Sequence, residues 1–294
     1  MSDDVTFQQE PEVRYGAPLV VSPLIRRVIA RNPSAFTYTG TGTYIIGHGT
    51  VAIIDPGPAL PEHIEAVLAA VAGETVSHLV VTHTHRDHSP ASPALKAATG
   101  AVVVGCAQVP MMEEAAGQGD ESVDRSYAPD RILADGEAVH GPGWTLRAVH
   151  TPGHTSTHLC FALEEEQALF TGDHVMGWST SVVTPPDGDM RAYVDSLRKL
   201  LEREDRVLYP THGPAVDKPK PFLRALINHR KMREAQIVKV LGDGPATIPA
   251  MVEQLYATTP RHLHPAAGRS VLAHLIDLEA QGRVGRDGDV YRLL

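Results

Sequence analysis

The stretch VTHTHRDHSP, residues 81–90, decides how the rest of this 294-residue sequence is interpreted. It places His83, His85, Asp87 and His88 within six positions, directly after a short β-branched run that predicts a strand. Alternate residues of an extended segment face the same side, so His83 and His85 share one side, and the following turn brings Asp87 and His88 to an adjoining point. Imidazole and carboxylate groups suit zinc, iron or manganese. The stretch therefore predicts a metal site at the end of a strand.

Three further strand ends carry side chains of the same kind. A lone His or Asp in a turn is more often a capping or hydrogen-bonded residue than a ligand. Each of these residues is therefore a candidate ligand only because several strand ends carry such side chains. Open α/β sites form where strand ends meet, and the series therefore predicts one common site. The segments are TPGHTSTH (151–158) with His154, FTGDHV (170–175) with Asp173, and YPTHG (209–213) with His212.

Strands and helices alternate over most of the chain, which predicts an α/β fold. Helices are predicted at 61–73, where Pro61 stands at the first helical position, and at 190–204, where apolar residues recur at helical spacing. Strands are predicted at 18–30, 43–57 (as a pair joined by a turn), 77–83, 101–105, 144–153, 158–163, 168–175 and 206–213.

A boundary is predicted at DKPKP (217–221), which divides a catalytic domain (1–221) from a C-terminal domain (222–294). Helices at 222–241, 249–257 and 270–282, followed by a hairpin at 283–294, have the order of a winged helix. We expect this segment to serve in packing or dimerisation, with Arg230, Lys231 and Arg233 on a solvated helix face. Whether the protein is a homodimer stays open.

Composition excludes several classes of protein. Hydrophobic residues make up 43% of the chain, and no apolar run approaches the roughly 18 residues that span a membrane. The first 16 residues lack the pattern of a signal peptide. The two cysteines, Cys106 and Cys160, lie in strand-like stretches and are expected to be reduced. These features predict a cytoplasmic protein.

The formal net charge of -9 is unevenly distributed. Residues 1–221 carry a formal charge of -12, whereas residues 222–294 carry +3. The overall charge disfavours indiscriminate binding of nucleic acid. A mildly basic appendage on an acidic domain is weak support for a polyanionic substrate.

The ligand series HxHxDH, then a distant His, an Asp and a final His, resembles the metallo-β-lactamase superfamily. Within it, NPSAFTYTGTGTYIIG (32–47) and INHRKMREAQI (227–237) resemble the beta-lactamase-like protein 2 group. The resemblance implies an αββα sandwich with a small winged-helix-like α+β segment at its C-terminus. It also implies a dinuclear centre with two Zn²⁺ ions per chain, with iron or manganese as alternatives.

The resemblance assigns a role to each candidate ligand. One metal would be held by His83, His85 and His154, the other by Asp87, His88 and His212, with Asp173 bridging the two ions. Asp55, at the end of AIIDPG, would support the ligands from behind. Asp87 would orient the metal-bridging hydroxide and accept its proton, which makes it the candidate catalytic residue.

The implied activity is metal-dependent hydrolysis, and the metals alone do not select the substrate. Members of the group are described as endoribonucleases on single-stranded RNA, which makes RNA the first substrate hypothesis. The alternative is a small-molecule thioester, ester or lactone, as for glyoxalase II. The bridging Asp argues against more than weak β-lactamase activity. Two other classes stay open: a di-iron oxidoreductase, and a binding module that keeps its metals without catalysis.

Overall fold

The computed structural model describes residues 5–9, 13–110 and 123–294. These residues form fifteen strands and six α-helices. The strands are β1 (Leu19–Val20), β2 (Ile25–Ile29), β3 (Gly42–Ile46), β4 (Thr50–Ile54), β5 (Thr75–Val81), β6 (Val102–Gly105), β7 (Arg131–Ile132), β8 (Ala138–Gly141), β9 (Trp144–His150), β10 (Leu159–Leu163), β11 (Ala168–Gly172), β12 (Val207–Pro210), β13 (Ala246–Thr247), β14 (Val284–Asp287) and β15 (Val290–Leu293). The helices are α1 (Pro61–Ala70), α2 (Ser92–Thr99), α3 (Met190–Leu201), α4 (Pro219–Gly242), α5 (Ile248–Leu255) and α6 (His264–Ala280).

Two mixed sheets form the centre of the molecule. The first has the order β1-β2-β3-β4-β5-β6-β7, antiparallel from β1 to β4 and parallel from β4 to β7. The second has the order β12-β11-β10-β9-β8, in which only β11 and β12 are parallel. Parallel neighbours require a crossover, and α1 and α2 supply two of these between β4, β5 and β6.

The sheets pack face to face, and helices cover their outer surfaces. In β10, Phe161 belongs to the core between the sheets, whereas its neighbour Cys160 packs with Tyr193 and Leu197 of α3 on the other side. This alternation is the two-residue period of a strand that is buried on both faces. The predicted αββα sandwich is therefore confirmed.

The C-terminal part has a core of its own. Helix α4 spans two cores, because Leu223 and Leu226 pack with α3 whereas Ile237 and Leu241 pack with α5 and α6. A small sheet of order β13-β15-β14 completes the predicted winged helix. The domain division after residue 221 stays a prediction, and it falls in the first turn of α4.

Two predicted elements differ in their bounds. The strand predicted at 18–30 is broken into β1 and β2, because the chain reverses there with a hydrogen bond from Ile25 N to Ser22 O. Helix α6 begins at His264 rather than at residue 270, with Pro265 in its first turn, where a missing N–H costs little.

No described helix combines the length and the apolar character needed to cross a membrane. The cytoplasmic location and the oligomeric state stay predictions.

Candidate metal centre

All seven predicted ligands lie just after strands, where the two sheets meet. His83, His85, Asp87 and His88 follow β5. The other three follow β9, β11 and β12, and they are His154, Asp173 and His212. We call these seven side chains the ligand cluster.

The first part of the ligand cluster gathers three imidazoles and one carboxylate. His83 Nε2 and His154 Nε2 each lie 3.0 Å from His85 Nδ1. The Oδ2 atom of Asp173 lies 4.0 Å from His83 Nε2 and 3.7 Å from His154 Nε2. These four residues offer ligand atoms that all lie within 4.8 Å of one another, so they could hold one ion.

The second part contains Asp87, His88 and His212. Oδ2 of Asp87 lies 3.3 Å from His88 Nε2 and 3.1 Å from His212 Nε2, and the three residues form a second group that could hold an ion. Thr41 Oγ1 donates a hydrogen bond of 2.9 Å to the same carboxylate oxygen, which fixes its orientation. Nothing in the local sequence indicated Thr41, because it lies 46 residues before Asp87.

Asp173 lies between the two groups. Its Oδ2 atom faces the first group, whereas its Oδ1 atom lies 3.6 Å from His88 Nε2 and 3.3 Å from His212 Nε2. A carboxylate that bridges two ions must present one oxygen to each, and Asp173 has this arrangement. Bridging itself stays a prediction.

The second ring nitrogens of four histidines are held by neighbouring groups. Such contacts fix the tautomer and the orientation of a ligand before a metal binds. The contacts are His83 Nδ1 with Thr82 Oγ1 at 3.0 Å, His88 Nδ1 with Asp55 Oδ2 at 2.9 Å, His154 Nδ1 with Val182 O at 2.6 Å, and His212 Nδ1 with Gly40 O at 3.2 Å.

Asp55 anchors the second group from behind. It is fully buried, and it accepts hydrogen bonds of 2.9 Å from Thr82 N, Thr82 Oγ1 and Thr211 Oγ1 in addition to its contact with His88. Its φ of 47° is unusual for a residue with a side chain and persists where the surroundings determine the backbone. This geometry supports the proposal that Asp55 positions His88.

Neighbouring charges divide the ligand cluster into two electrostatic environments. Burial, followed by the charge of His154, lowers the pKa of His85 to about 4, so this imidazole is neutral. Burial alone would also lower the pKa of His212, but the charges of Asp173 and Asp87 raise it to about 10. The second group therefore attracts positive charge, and a metal ion would replace protons there.

Two buried atoms test whether a metal fits. His88 Nε2 and Asp173 Oδ1 make no hydrogen bond within the described chain, although buried polar atoms normally have partners. A divalent cation between the histidines and carboxylates would satisfy both atoms. The residues therefore fit a metal, while its identity and the number of ions stay predictions.

A cavity of about 800 Å³ opens onto the ligand cluster. Asp87 and Asp173 lie in its wall, together with the apolar side chains of Phe36, Met176 and Leu263. Its volume falls within the range of pockets that enclose a small molecule. The C-terminal segment was expected to serve in packing or dimerisation, but its residues around Leu263 form part of this wall.

Arg230 was expected on a solvated helix face, and this expectation was wrong. The side chain is only 5% exposed, since it reaches from α4 to donate a 2.5 Å hydrogen bond to Ser181 O. Ser181 Oγ donates in turn to the backbone oxygen of Asp173. The guanidinium of Arg230 also lies 5.0 Å from the ring centroid of Tyr193. The sequence pattern around Arg230 is that of an exposed helix face, and it did not indicate that this residue contacts Ser181.

Comparisons with known proteins match nearly the whole chain. A family model described as the metallo-beta-lactamase superfamily matches residues 38–212, and one described as a beta-lactamase associated winged helix domain matches residues 247–292. A beta-lactamase-like protein 2 homolog of Caenorhabditis elegans is 33% identical over 267 residues, covering 89% of this chain and 86% of the relative. An atrochrysone carboxyl ACP thioesterase of Aspergillus chevalieri is 32% identical over 261 residues, covering 84% of this chain and 78% of the relative.

Solved structures show the same fold. A beta-lactamase domain protein from Burkholderia ambifaria aligns with a TM-score of 0.80 at 20% identity, covering 97% of this chain and 96% of the other. A metallo-beta-lactamase family protein from Thermus thermophilus aligns with a TM-score of 0.74 at 23% identity, covering 94% of this chain and 100% of the other. Together with the relatives, these matches confirm the resemblance that the sequence motifs indicated.

Proposed function

The chain belongs to the metallo-β-lactamase superfamily, and on that premise we propose that it is a dinuclear metal-dependent hydrolase of thioesters or esters. The observation that carries this proposal is a pair of adjacent ligand groups in the wall of an apolar cavity. Asp173 presents one carboxylate oxygen to each group. The thioesterase name of the relative from Aspergillus chevalieri supports the substrate class.

The ligand groups would provide the electrophilic part of the reaction. Two bound cations would act as Lewis acids that activate water near neutral pH and polarise the carbonyl oxygen of the substrate. Zinc is our first choice of metal, because three imidazoles and a carboxylate are a common zinc environment.

Asp87 would accept the proton of the attacking water. Its side chain is 24% exposed, whereas those of His88 and His212 are at most 1% exposed. The carboxylate is held by Thr41 and lies in the cavity wall. A general base must be within hydrogen-bond reach of the proton that it removes, and Asp87 is placed to meet this condition.

The cavity favours a small acyl substrate over single-stranded RNA. An RNA site combines a track of cations with aromatic rings on which bases stack. Among the described residues of the cavity wall, Phe36 supplies the only phenyl, phenol or indole ring, and Arg86 and Arg269 supply the cationic groups. The RNA endonuclease hypothesis stays a prediction that the same experiment tests.

The experiment begins with metal analysis of the purified protein by plasma mass spectrometry. Zinc-loaded protein is then assayed side by side on an acyl-N-acetylcysteamine thioester, acylglutathione, a lactone, single-stranded RNA and nitrocefin. We expect two metal ions per chain and the highest kcat/KM on a thioester. Faster cleavage of RNA than of any thioester would overturn the substrate class, and absence of metal after reconstitution would overturn the whole proposal.

A further inference from the structure

One cation in the cavity wall has no partner within the described chain. Arg269 stands in the second turn of α6, is exposed, and forms neither a hydrogen bond nor an ion pair through its side chain with any described residue. The other cavity residues that carry formal charge are already engaged or belong to the ligand cluster. Asp187, for example, accepts hydrogen bonds from Ser156 N at 3.0 Å and Ser156 Oγ at 2.5 Å.

The start of α6 adds positive potential in the same place. Leu263, Pro265 and Ala266 line the cavity where this 17-residue helix begins, and no side chain caps its N-terminus. The N-terminal end of a helix macrodipole favours negative charge. Arg86, which follows His85 directly, brings a second guanidinium to the wall, and among the described residues it makes one long hydrogen bond of 3.5 Å, to Val123 O.

We infer that Arg269 is a specificity-determining residue that binds an anionic group of the substrate, in a cavity that otherwise accommodates an apolar acyl chain. This inference rests on the proposed thioester or ester hydrolysis and adds the substrate's charge. The anionic group is a carboxylate at the far end of the acyl chain or a phosphate on the leaving thiol. Both groups pair with a guanidinium through charge-assisted hydrogen bonds.

The location of Arg269 explains why the C-terminal segment would matter for substrate choice. The ligand cluster lies entirely between residues 83 and 212, whereas Arg269 and Leu263 come from the winged helix. The first domain would therefore supply the reaction and the second would supply recognition. Removal of a contact that is made equally in the ground state and the transition state raises KM and leaves kcat nearly unchanged, and we expect this for Arg269.

Kinetics with matched substrates test the inference and separate the two sources of negative charge. S-hexanoyl-N-acetylcysteamine is the neutral reference for S-adipyl-N-acetylcysteamine, which adds a terminal carboxylate. S-hexanoylpantetheine is the neutral reference for S-hexanoyl-4′-phosphopantetheine, which adds a phosphate on the leaving thiol. We expect kcat/KM of the wild-type protein to be about 10- to 100-fold higher for one of the charged substrates, which is the range for a hydrogen bond to a charged group.

Substitution of the arginine should remove this preference. We expect Arg269→Gln to lower kcat/KM for the preferred charged substrate to the neutral value, mainly through KM, and to leave the neutral substrate within about 2-fold. Arg269→Lys should retain part of the preference. Arg261→Gln is the matched control, because Arg261 is exposed and lies outside the cavity wall. Equal loss on neutral and charged substrates, or no preference in the wild-type protein, would overturn the inference.

Direct binding keeps this test separate from the proposed reaction. Zinc-loaded wild-type and Arg269→Gln proteins are titrated calorimetrically with adipate against hexanoate, and with desulfo-4′-phosphopantetheine against desulfopantetheine, which lacks the phosphate. Tighter binding of one charged ligand that depends on Arg269, without turnover of any thioester, would support the anion site and reject the proposed hydrolysis. Thioester turnover without an Arg269-dependent difference in binding would support the proposed hydrolysis and reject the anion site.

Discussion

Two groups of buried histidines adjoin one another in this molecule, and their electrostatic surroundings are opposite. In the ligand cluster the histidines surround Asp87 and Asp173, whose charges raise the pKa of His212 to about 10. The second group, which we call the arginine cluster, contains Arg230, Tyr193, His174 and His274. Burial, followed by the charge of Arg230, lowers the pKa of His274 to about 3.

The difference shows that buried histidines alone do not define a metal site. His274 Nε2 and both ring nitrogens of His174 lack hydrogen-bond partners within the described chain, just as His88 Nε2 does in the ligand cluster. Only the ligand cluster also contains carboxylates, and only there do the described residues form groups that could hold an ion. Carboxylates offset the desolvation of a cation, whereas a neighbouring guanidinium repels one.

The largest expected effect follows from removing a carboxylate of the ligand cluster. Asp87→Asn keeps the size of the side chain but loses the proton acceptor, and we expect kcat on the thioester substrate to fall about 10²- to 10⁴-fold. The first ligand group should still retain its metal, which metal analysis would measure. Asp195→Asn removes an exposed acid and is the control. Normal turnover with metal bound would remove Asp87 from the mechanism and favour a binding module.

A smaller effect is expected from the carboxylate behind the ligands. Asp55→Asn places an amide NH₂ group among hydroxyl and imidazole donors, so His88 loses the acceptor that orients it. Loss of such supporting contacts typically weakens metal affinity about 10- to 100-fold. Competition with a chelator would measure the weaker of the two metal affinities. Unchanged affinity would show that the backbone at Asp55, rather than its charge, holds the site together.

The sequence indicated much of the ligand cluster but little of the arginine cluster. His83, His85, Asp87 and His88 form a local motif, and the partners at later strand ends follow from the rule that ligands gather where strands end. Arg230 and His274 lie on helices whose polar residues look solvated, and α4 becomes buried because α3, α5 and β15 pack against it. Long-range contacts of this kind leave no periodic signal in the chain.

The arginine cluster makes its own prediction, for stability against pH. His274 has a folded pKa of about 3 and an ordinary value of 6.5, so the unfolded chain binds more protons between these pH values. The contribution of His274 to the free energy of unfolding is therefore complete above pH 6.5, and it decreases as the pH falls towards 3. Because one pKa unit corresponds to 1.36 kcal/mol, this contribution is about 2 kcal/mol smaller at pH 5 than at pH 7.

Urea unfolding of His274→Gln at pH 7 and pH 5 would measure this contribution. We expect the variant to lose about 2 kcal/mol less than the wild-type protein between the two pH values. His140→Gln, at an exposed position on β8, is the control and should follow the wild-type protein. An identical pH dependence for His274→Gln and the wild-type protein would show that His274 titrates normally in the folded state.

The smallest expected effect concerns the link between the two clusters. Arg230 donates a hydrogen bond to Ser181 O, and Ser181 Oγ donates one to the backbone oxygen of Asp173. The backbone oxygen of the next residue, Val182, accepts a hydrogen bond from the ligand His154. Arg230→Met should therefore lower kcat about 10-fold through misplaced ligands, the lower end for loss of supporting contacts. The free energy of unfolding should change by less than about 1 kcal/mol, because Arg230 has no carboxylate partner among the described residues and its removal recovers the desolvation cost of a buried cation.

Arg230→Lys separates position from charge in this link. Lysine keeps the positive charge but lacks the planar fork that reaches Ser181 O while the guanidinium lies over Tyr193. We expect the kcat of Arg230→Lys to resemble that of Arg230→Met rather than that of the wild-type protein. If lysine instead restored full activity, positive charge alone would be the contribution of the arginine cluster, and the hydrogen-bonded path to Asp173 would carry no function.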